Sequence, residues 1–184
     1  MRILGIILAG GESKRMGIDK ASIKIDGVSL LKNAFTGMQN CAEIVLAARN
    51  ITLPNDLPEH VQIQDSKKIN GPLAGILSGL EFATQNGFDF VQLSPCDTPL
   101  VGENVFSKLE SRIGILDCCV PKSESGLHPL HALIKTSSAL DIFNSNRLGN
   151  SVKSLIMALE YNTVEIEDEI MLNINTEKDL FNFN

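Results

Sequence analysis

The chain has 184 residues, with 16 Lys and Arg against 22 Asp and Glu, a formal net charge of −6 at pH 7, and a composition 43% hydrophobic and 21% charged. This balance excludes intrinsic disorder, and the acidic total excludes a nucleic-acid binder, which needs a broad basic surface to neutralise phosphates. No apolar run approaches the roughly 20 residues of a spanning helix, so no membrane partner is expected and the chain reads as cytoplasmic.

The length predicts a single domain over residues 1–184. In chain order, Ile3 to Leu8 reads as a strand, followed by a glycine-rich, basic loop. Ser29 to Gln39 reads as a helix with Ser29 as its N-cap. Strands follow at Ile44 to Leu46 and Val61 to Ile63, then a helix over Pro72 to Gln85 with Pro72 in its first turn, and a strand at Phe88 to Leu93. Strands alternating with helices predict an α/β domain with a mainly parallel sheet covered on both faces.

Beyond residue 100 the pattern changes. Gly102 to Arg112 reads as a helix. Leu116 to Pro121 and Leu127 to Lys135 then read as two strands separated by the polar Lys122 to Gly126, a small antiparallel excursion. Helices near Ser137 to Ser145 and Ser151 to Leu159 precede strand-like runs at Thr163 to Ile166 and Met171 to Ile174, and a short helix from Thr176 closes the chain. The cysteines Cys41, Cys96, Cys118 and Cys119 show no CxxC spacing. They read as buried free thiols, with Cys118 and Cys119 pointing to opposite faces of one strand.

The loop after the first strand, within "ILAGGESKRMGIDKA" at 7 to 21, is locally unfavourable by itself. Gly10, Gly11 and Gly17 lose more backbone entropy than other residues on ordering, and Lys14, Arg15 and Lys20 repel one another. A small anionic ligand offsets both costs, because glycine lets backbone N–H groups turn toward phosphates while the basic side chains supply charge. The loop is neither a Walker A sequence nor GxGxxG. Without such a ligand it reads as a tight exposed turn.

Asp97 comes just after the strand Phe88 to Leu93 and ahead of Pro99, which puts it at a strand's carboxyl end, where open α/β sheets bind ligands. A hard carboxylate there suits Mg²⁺; the plain alternative is an Asx-turn residue. Asp65, after Val61 to Gln64, is either a turn residue or an acceptor for a guanine edge or a ribose hydroxyl. Gly71 and Gly75 in "GPLAG" sit at a helix start, where they allow either close ligand approach or close helix packing. Asn173 and Asn175 alternate and so share one face of a strand, with Thr176 and Asp179 spaced like a helix cap. His128 and His131 lie three apart and face opposite sides of a strand, which argues against zinc.

The stretch "LAGGESKRMGIDKA" resembles the N-terminal signature of nucleotidyltransferases. Together with "GPLAGILSGL" at 71 to 80, "PCDTPL" at 95 to 100, "HPLHAL" at 128 to 133 and "NINTEKDL" at 173 to 180, it resembles the molybdenum cofactor guanylyltransferase family over nearly the whole chain. The resemblance implies a three-layer Rossmann-like nucleotidyltransferase fold and transfer of GMP from GTP to the terminal phosphate of molybdopterin, with Mg²⁺ as cofactor. It implies catalytic roles for Arg15, Lys20 and Asp97, and metal contacts from Asp97 and Asn175. It also implies nucleotide or acceptor contacts from Leu8, Ala9, Gly10, Gly11, Gly17, Lys20, Asp65, Gly71 and Gly75, and from His128, Asn173 and Asn175 toward the acceptor and metal end. Transient contacts with cofactor-biosynthesis proteins or molybdoenzymes are implied in the same way.

GPLAG and Gly11 favour guanine, since relatives using CTP carry a serine-rich stretch and LAAG at these places. The chain departs from the family's pattern at Ala47, where an asparagine is expected and Arg49 and Asn50 follow, and at Ser151, where a basic residue is expected and Arg147 and Lys153 flank. Two other readings stand beside the guanylyltransferase. One is a cytidylyltransferase or sugar-phosphate nucleotidyltransferase of the same fold; the other is a domain that binds nucleotide or pterin without catalysis.

Overall fold

The structure, a computed structural model, describes residues 1–9, 20–48, 53–145, 147–175 and 177–180. The strand β1 (Ile3–Ala9) is buried at all but one position, which requires neighbours on both edges and layers on both faces. Its edges pair in parallel with β4 (Glu43–Ala48) on one side and β6 (Phe90–Pro95) on the other. β5 (Val61–Ile63) extends the sheet beyond β4, again in parallel. Beyond β6 lie β9 (Leu133–Lys135), antiparallel to it, then β7 (Cys118–Ser123) and β10 (Tyr161–Glu165), giving the order β10-β7-β9-β6-β1-β4-β5. The two-residue strand β8 (Gly126–Leu127) folds back on β7 as a hairpin, and β2 (Lys24–Ile25) and β3 (Val28–Ser29) form a separate small ribbon.

Period-two alternation along the strands makes two cores. Leu4, Ile6 and Val45 face α2 (Pro72–Gln85), α4 (Thr136–Phe143) and α5 (Val152–Met157), where Ile76, Leu80, Ile142 and Leu155 are buried. Ile3, Ile7 and Leu46 face α1 (Leu30–Gly37) and α3 (Glu103–Arg112), burying Leu31, Phe35, Phe106 and Leu109. This is the expected three-layer arrangement. Cys118 belongs to the first core and Cys119 to the second, so the adjacent thiols do point to opposite faces. Both are fully buried, Cys41 and Cys96 are only half-buried, and none of the four is in a disulfide.

The helix starts follow local chemistry. Ser29 caps α1, its Oγ accepting from Lys32 N at 3.2 Å, and Pro72 opens α2. Two expected strands take other forms. The run Leu127 to Lys135 is broken by a 3₁₀ turn at Pro129–His131, because Pro129 has no N–H to donate to a ladder; β9 begins only at Leu133. Met171 to Ile174 is not a strand. Asp168–Met171 forms a 3₁₀ turn, and Ile174 N donates to the Asp97 carbonyl at 2.8 Å, a single tie in place of a ladder. The short closing helix α6 (Glu177–Leu180) is present, and Thr176 lies outside the described residues.

Candidate active site

The parallel strands end together on one edge of the sheet, and the candidate residues follow the sheet order along it. From β5 inward come Asp65 just past β5, Ala47 in β4, Leu8 in β1 and Asp97 just past β6. His128 and His131 precede the antiparallel β9 and so reach the same edge, followed by Ser123 at the end of β7. The chain leaves β1 toward β4 and β5 and then returns to β6 on the other side. That reversal is the switch point where open α/β sheets form a ligand crevice. Gly10, Gly11, Arg15 and Gly17 lie outside the described residues, as do Arg49 and Asn50.

Lys20, Asp97 and Asn175 come together. Lys20 Nζ donates to Asn175 Oδ1 at 2.8 Å and lies 3.3 Å from Asp97 Oδ2. These groups are 77 and 155 residues from Lys20 in the chain, and apolar packing holds them in place. Ala21 is buried in the second core, and Ile23 packs with Leu30 and Ile174 in a small cluster that brings residues 20 to 23 against residues 174 and 175. The Asn175 N–H is fixed in turn by Asp179 Oδ2 at 2.8 Å. Two oxygens, one anionic and one an amide carbonyl, thus converge on a single cation, here an ammonium. This hard oxygen pair fits a hard divalent cation. Asn173 is exposed beside the buried Ile174, one position from the cluster.

A second group forms around Gly75. A Cβ placed there would lie 3.1 Å from both Leu8 Cδ2 and Ala47 Cβ and 3.2 Å from Asp65 Oδ1, so glycine lets α2 close onto the ends of β1 and β4 beside the Asp65 carboxylate. Gly71, the N-cap of α2, has φ +69° with open space where a Cβ would be. It is required for its backbone conformation and not by crowding. Ala9, fully enclosed, belongs to the core.

At the β7 end, His128 Nε2 lies 2.8 Å from Ser123 Oγ, and Ser123 Oγ lies 2.9 Å from Ser125 Oγ. Ser125 N donates to Asp168 Oδ1 at 3.2 Å. Burial pushes the His128 pKa down, opposed by the charge of Asp168, and hydrogen bonds from Ser123 and Ser125 hold the Asp168 carboxyl below its usual range. His131 is buried, with Nε2 2.8 Å from Thr98 Oγ1. The two imidazoles meet edge to face at 6.5 Å, sharing no metal-binding group with other residues among those described. Sequence reasoning missed Thr98, Ser123, Ser125 and Asp168. Thr98 had a signal in its place beside Asp97, whereas Asp168 lies 43 residues from its partner with nothing in the chain to connect them.

Ser151 caps α5 reciprocally with Ser154, and Arg147 Nη2 donates to the Ala158 carbonyl at 2.6 Å. A separate groove of about 800 Å³, lined by Lys32, Phe35, Glu43, His60 and Val61 among others, opens at the amino ends of β4 and β5, the far side of the sheet from these groups.

Residues 5–162 match the family model of the MobA-like NTP transferase domain. The chain belongs to that family. It is 32% identical over 151 residues to the molybdenum cofactor guanylyltransferase of Cereibacter sphaeroides, covering 77% of this chain and 74% of the relative. This nucleotidyltransferase also shares its fold with solved structures. One is the molybdopterin-guanine dinucleotide biosynthesis protein A of Archaeoglobus fulgidus, with TM-score 0.74 and 23% identity over 97% of this chain and 95% of that one. Another is the 2-C-methyl-D-erythritol 4-phosphate cytidylyltransferase of Thermus thermophilus, with TM-score 0.74 and 16% identity over 98% and 96%. Guanylyl and cytidylyl transferases thus share the Rossmann-like frame, and the frame alone does not select the base. Among the described residues, no helix is long and apolar enough to cross a membrane.

Proposed function

We propose that this nucleotidyltransferase, acting as one domain over residues 1–184, transfers GMP from GTP to the terminal phosphate of molybdopterin. A phosphate oxygen of the acceptor forms a bond to the α-phosphorus of GTP, the bond from that phosphorus to the bridging oxygen breaks, and pyrophosphate leaves with the electron pair. No protein nucleophile is needed, since such transfers are accelerated by positioning and charge neutralisation.

The observation that carries this reading is the convergence of Asp97 and Asn175 on one cation at the end of β6. Asp97 and Asn175 would hold Mg²⁺, which when bound offsets negative charge on phosphate oxygens. Lys20 then has a second task. Released from Asp97 and Asn175, its ammonium reaches phosphate oxygens and, with Arg15 and the N–H groups near Gly10, Gly11 and Gly17, stabilises the departing pyrophosphate. Leu8, Gly71, Gly75 and Asp65 are assigned to the nucleoside end, with Asp65 accepting from a base edge or a ribose hydroxyl. His128 and Asn173 are assigned to the acceptor end.

The test is pyrophosphate release with Mg²⁺ and molybdenum-loaded molybdopterin, comparing GTP, CTP and ATP. Release with GTP alone is expected. Release with CTP would keep the chemistry and overturn the base, an outcome the shared fold of the cytidylyltransferase makes worth including. Absence of release with every nucleotide would favour a binding domain.

A further inference from the structure

Thr98 follows Asp97 in the chain, and Thr98 and His131 are almost completely buried and have no part in the chemistry above. Their side chains meet through a 2.8 Å hydrogen bond between Thr98 Oγ1 and His131 Nε2. The other ring nitrogen, His131 Nδ1, has no hydrogen-bond partner among the described residues. For packing alone a histidine is a poor choice there, because it leaves Nδ1 buried without a partner, at a cost that an apolar side chain avoids. What the imidazole adds is one directed bond to the residue after Asp97.

That bond has a rigid base. The His131 N–H donates to the His128 carbonyl at 3.1 Å, and its carbonyl accepts from Gln92 Nε2 at 2.8 Å. Gln92 is itself buried and belongs to β6, the strand that leads into Asp97. On the other side of the same turn, the Asp97 carbonyl accepts from Ile174 N at 2.8 Å. The turn is therefore held from two directions, by the segment that bears Asn175 and by His131. Burial pushes the His131 pKa down to about 3, so the ring stays neutral near pH 7 and keeps the same bond.

We propose that His131 is a positioning residue: its hydrogen bond to Thr98 fixes the turn that carries Asp97 and so sets the point where Asp97 and Asn175 meet a divalent cation. This inference rests on the metal reading of Asp97 given under the proposed function. It assigns His131 a role through Thr98 and no contact with substrate.

The experiment measures Mn²⁺ binding to the nucleotide-free full chain by the loss of the free-ion paramagnetic resonance signal, with melting temperatures recorded alongside. The variants are His131→Leu, His131→Gln, Thr98→Val, the Thr98→Val/His131→Leu double variant and Asp97→Asn. The leucine variant and Thr98→Val should each weaken Mn²⁺ binding about tenfold, as expected for partners that orient a metal ligand. The double variant should be no weaker than the worse single one, because both remove the same bond. Glutamine places an amide where Nε2 stood and should restore binding to near wild type, whatever its melting temperature. If His131→Leu does not fold, Thr98→Val and His131→Gln carry the test. Wild-type Mn²⁺ affinity in the leucine or valine variant, or additive losses in the double variant, would overturn the brace while loss of binding in Asp97→Asn leaves the metal reading standing. Unchanged binding in Asp97→Asn would overturn the metal reading and the brace with it.

Discussion

The two ends of the candidate crevice are built by different means. At the β5 and β4 end, Gly75 brings helix, strand and the Asp65 carboxylate together by omitting a side chain, and its neighbours Leu8 and Ala47 are apolar. At the β6 end, Lys20, Asp97 and Asn175 meet through charge and hydrogen bonds across most of the chain length. Close steric contact is a way to shape a surface for a flat, weakly charged group such as a nucleoside. Convergent oxygens and an ammonium are a way to handle phosphates and metal. The contrast predicts that substitutions at the two ends should separate binding from turnover.

The largest effect is expected at Asp97. Asp97→Asn removes the anionic half of the oxygen pair and should lower pyrophosphate release by about 10²–10³-fold, with the melting temperature little changed. An equally active variant would dissolve the distinction between the two ends. Lys20→Met comes next, with turnover reduced about 10²-fold through lost phosphate charge. The same variant should bind Mn²⁺ more tightly without nucleotide, because Lys20 and the metal compete for Asp97 and Asn175. Weaker or unchanged Mn²⁺ binding would show that these oxygens are not shared.

At the other end, Gly75→Val should crowd Leu8, Ala47 and Asp65 and destabilise the fold by about 1–3 kcal/mol, the usual range for overpacking. Steady-state kinetics should show a higher KM for the nucleotide with kcat almost unchanged, the signature of lost uniform binding. A fall in kcat of the size expected for Lys20 would place Gly75 with the phosphate machinery instead.

A last effect concerns pH. The His131 pKa is near 3 in the fold and about 6.5 when exposed, so between these values the unfolded chain binds the extra proton. Stability therefore rises with pH across that window and is lost as pH falls below about 6.5, by roughly 1.4 kcal/mol per unit from this group. Denaturant titrations at pH 6.5, 5.5 and 4.5 should show a shallower acid loss for His131→Leu than for the wild type. Equal slopes would mean that the ring is protonated in the folded protein.

Much of this was legible before the structure. Ile3 to Leu8 reads as a strand buried on both faces, Ser29 as a cap and Pro72 as a helix start, because each depends on neighbours within a few residues. The placement of Asp97 past a strand end follows from the same local pattern. Met171 to Ile174 misled, because one buried isoleucine, Ile174, with exposed residues on either side, imitates the alternation of a strand. The Leu127 to Lys135 run misled as well, although Pro129 within it is a residue without an N–H, which interrupts a ladder.

By itself, the sequence determined the α/β alternation, the helix caps, the glycine and acidic motifs, and the family to which they belong, all of which are written in local spacing and residue type. The tertiary structure alone decided which distant groups meet: Lys20 with Asn175, Gly75 with Leu8, His131 with Thr98. Those pairings depend on sheet order and on the packing of Ile23, Leu30 and Ile174, and no short-range periodicity specifies contacts between residues so far apart in the chain.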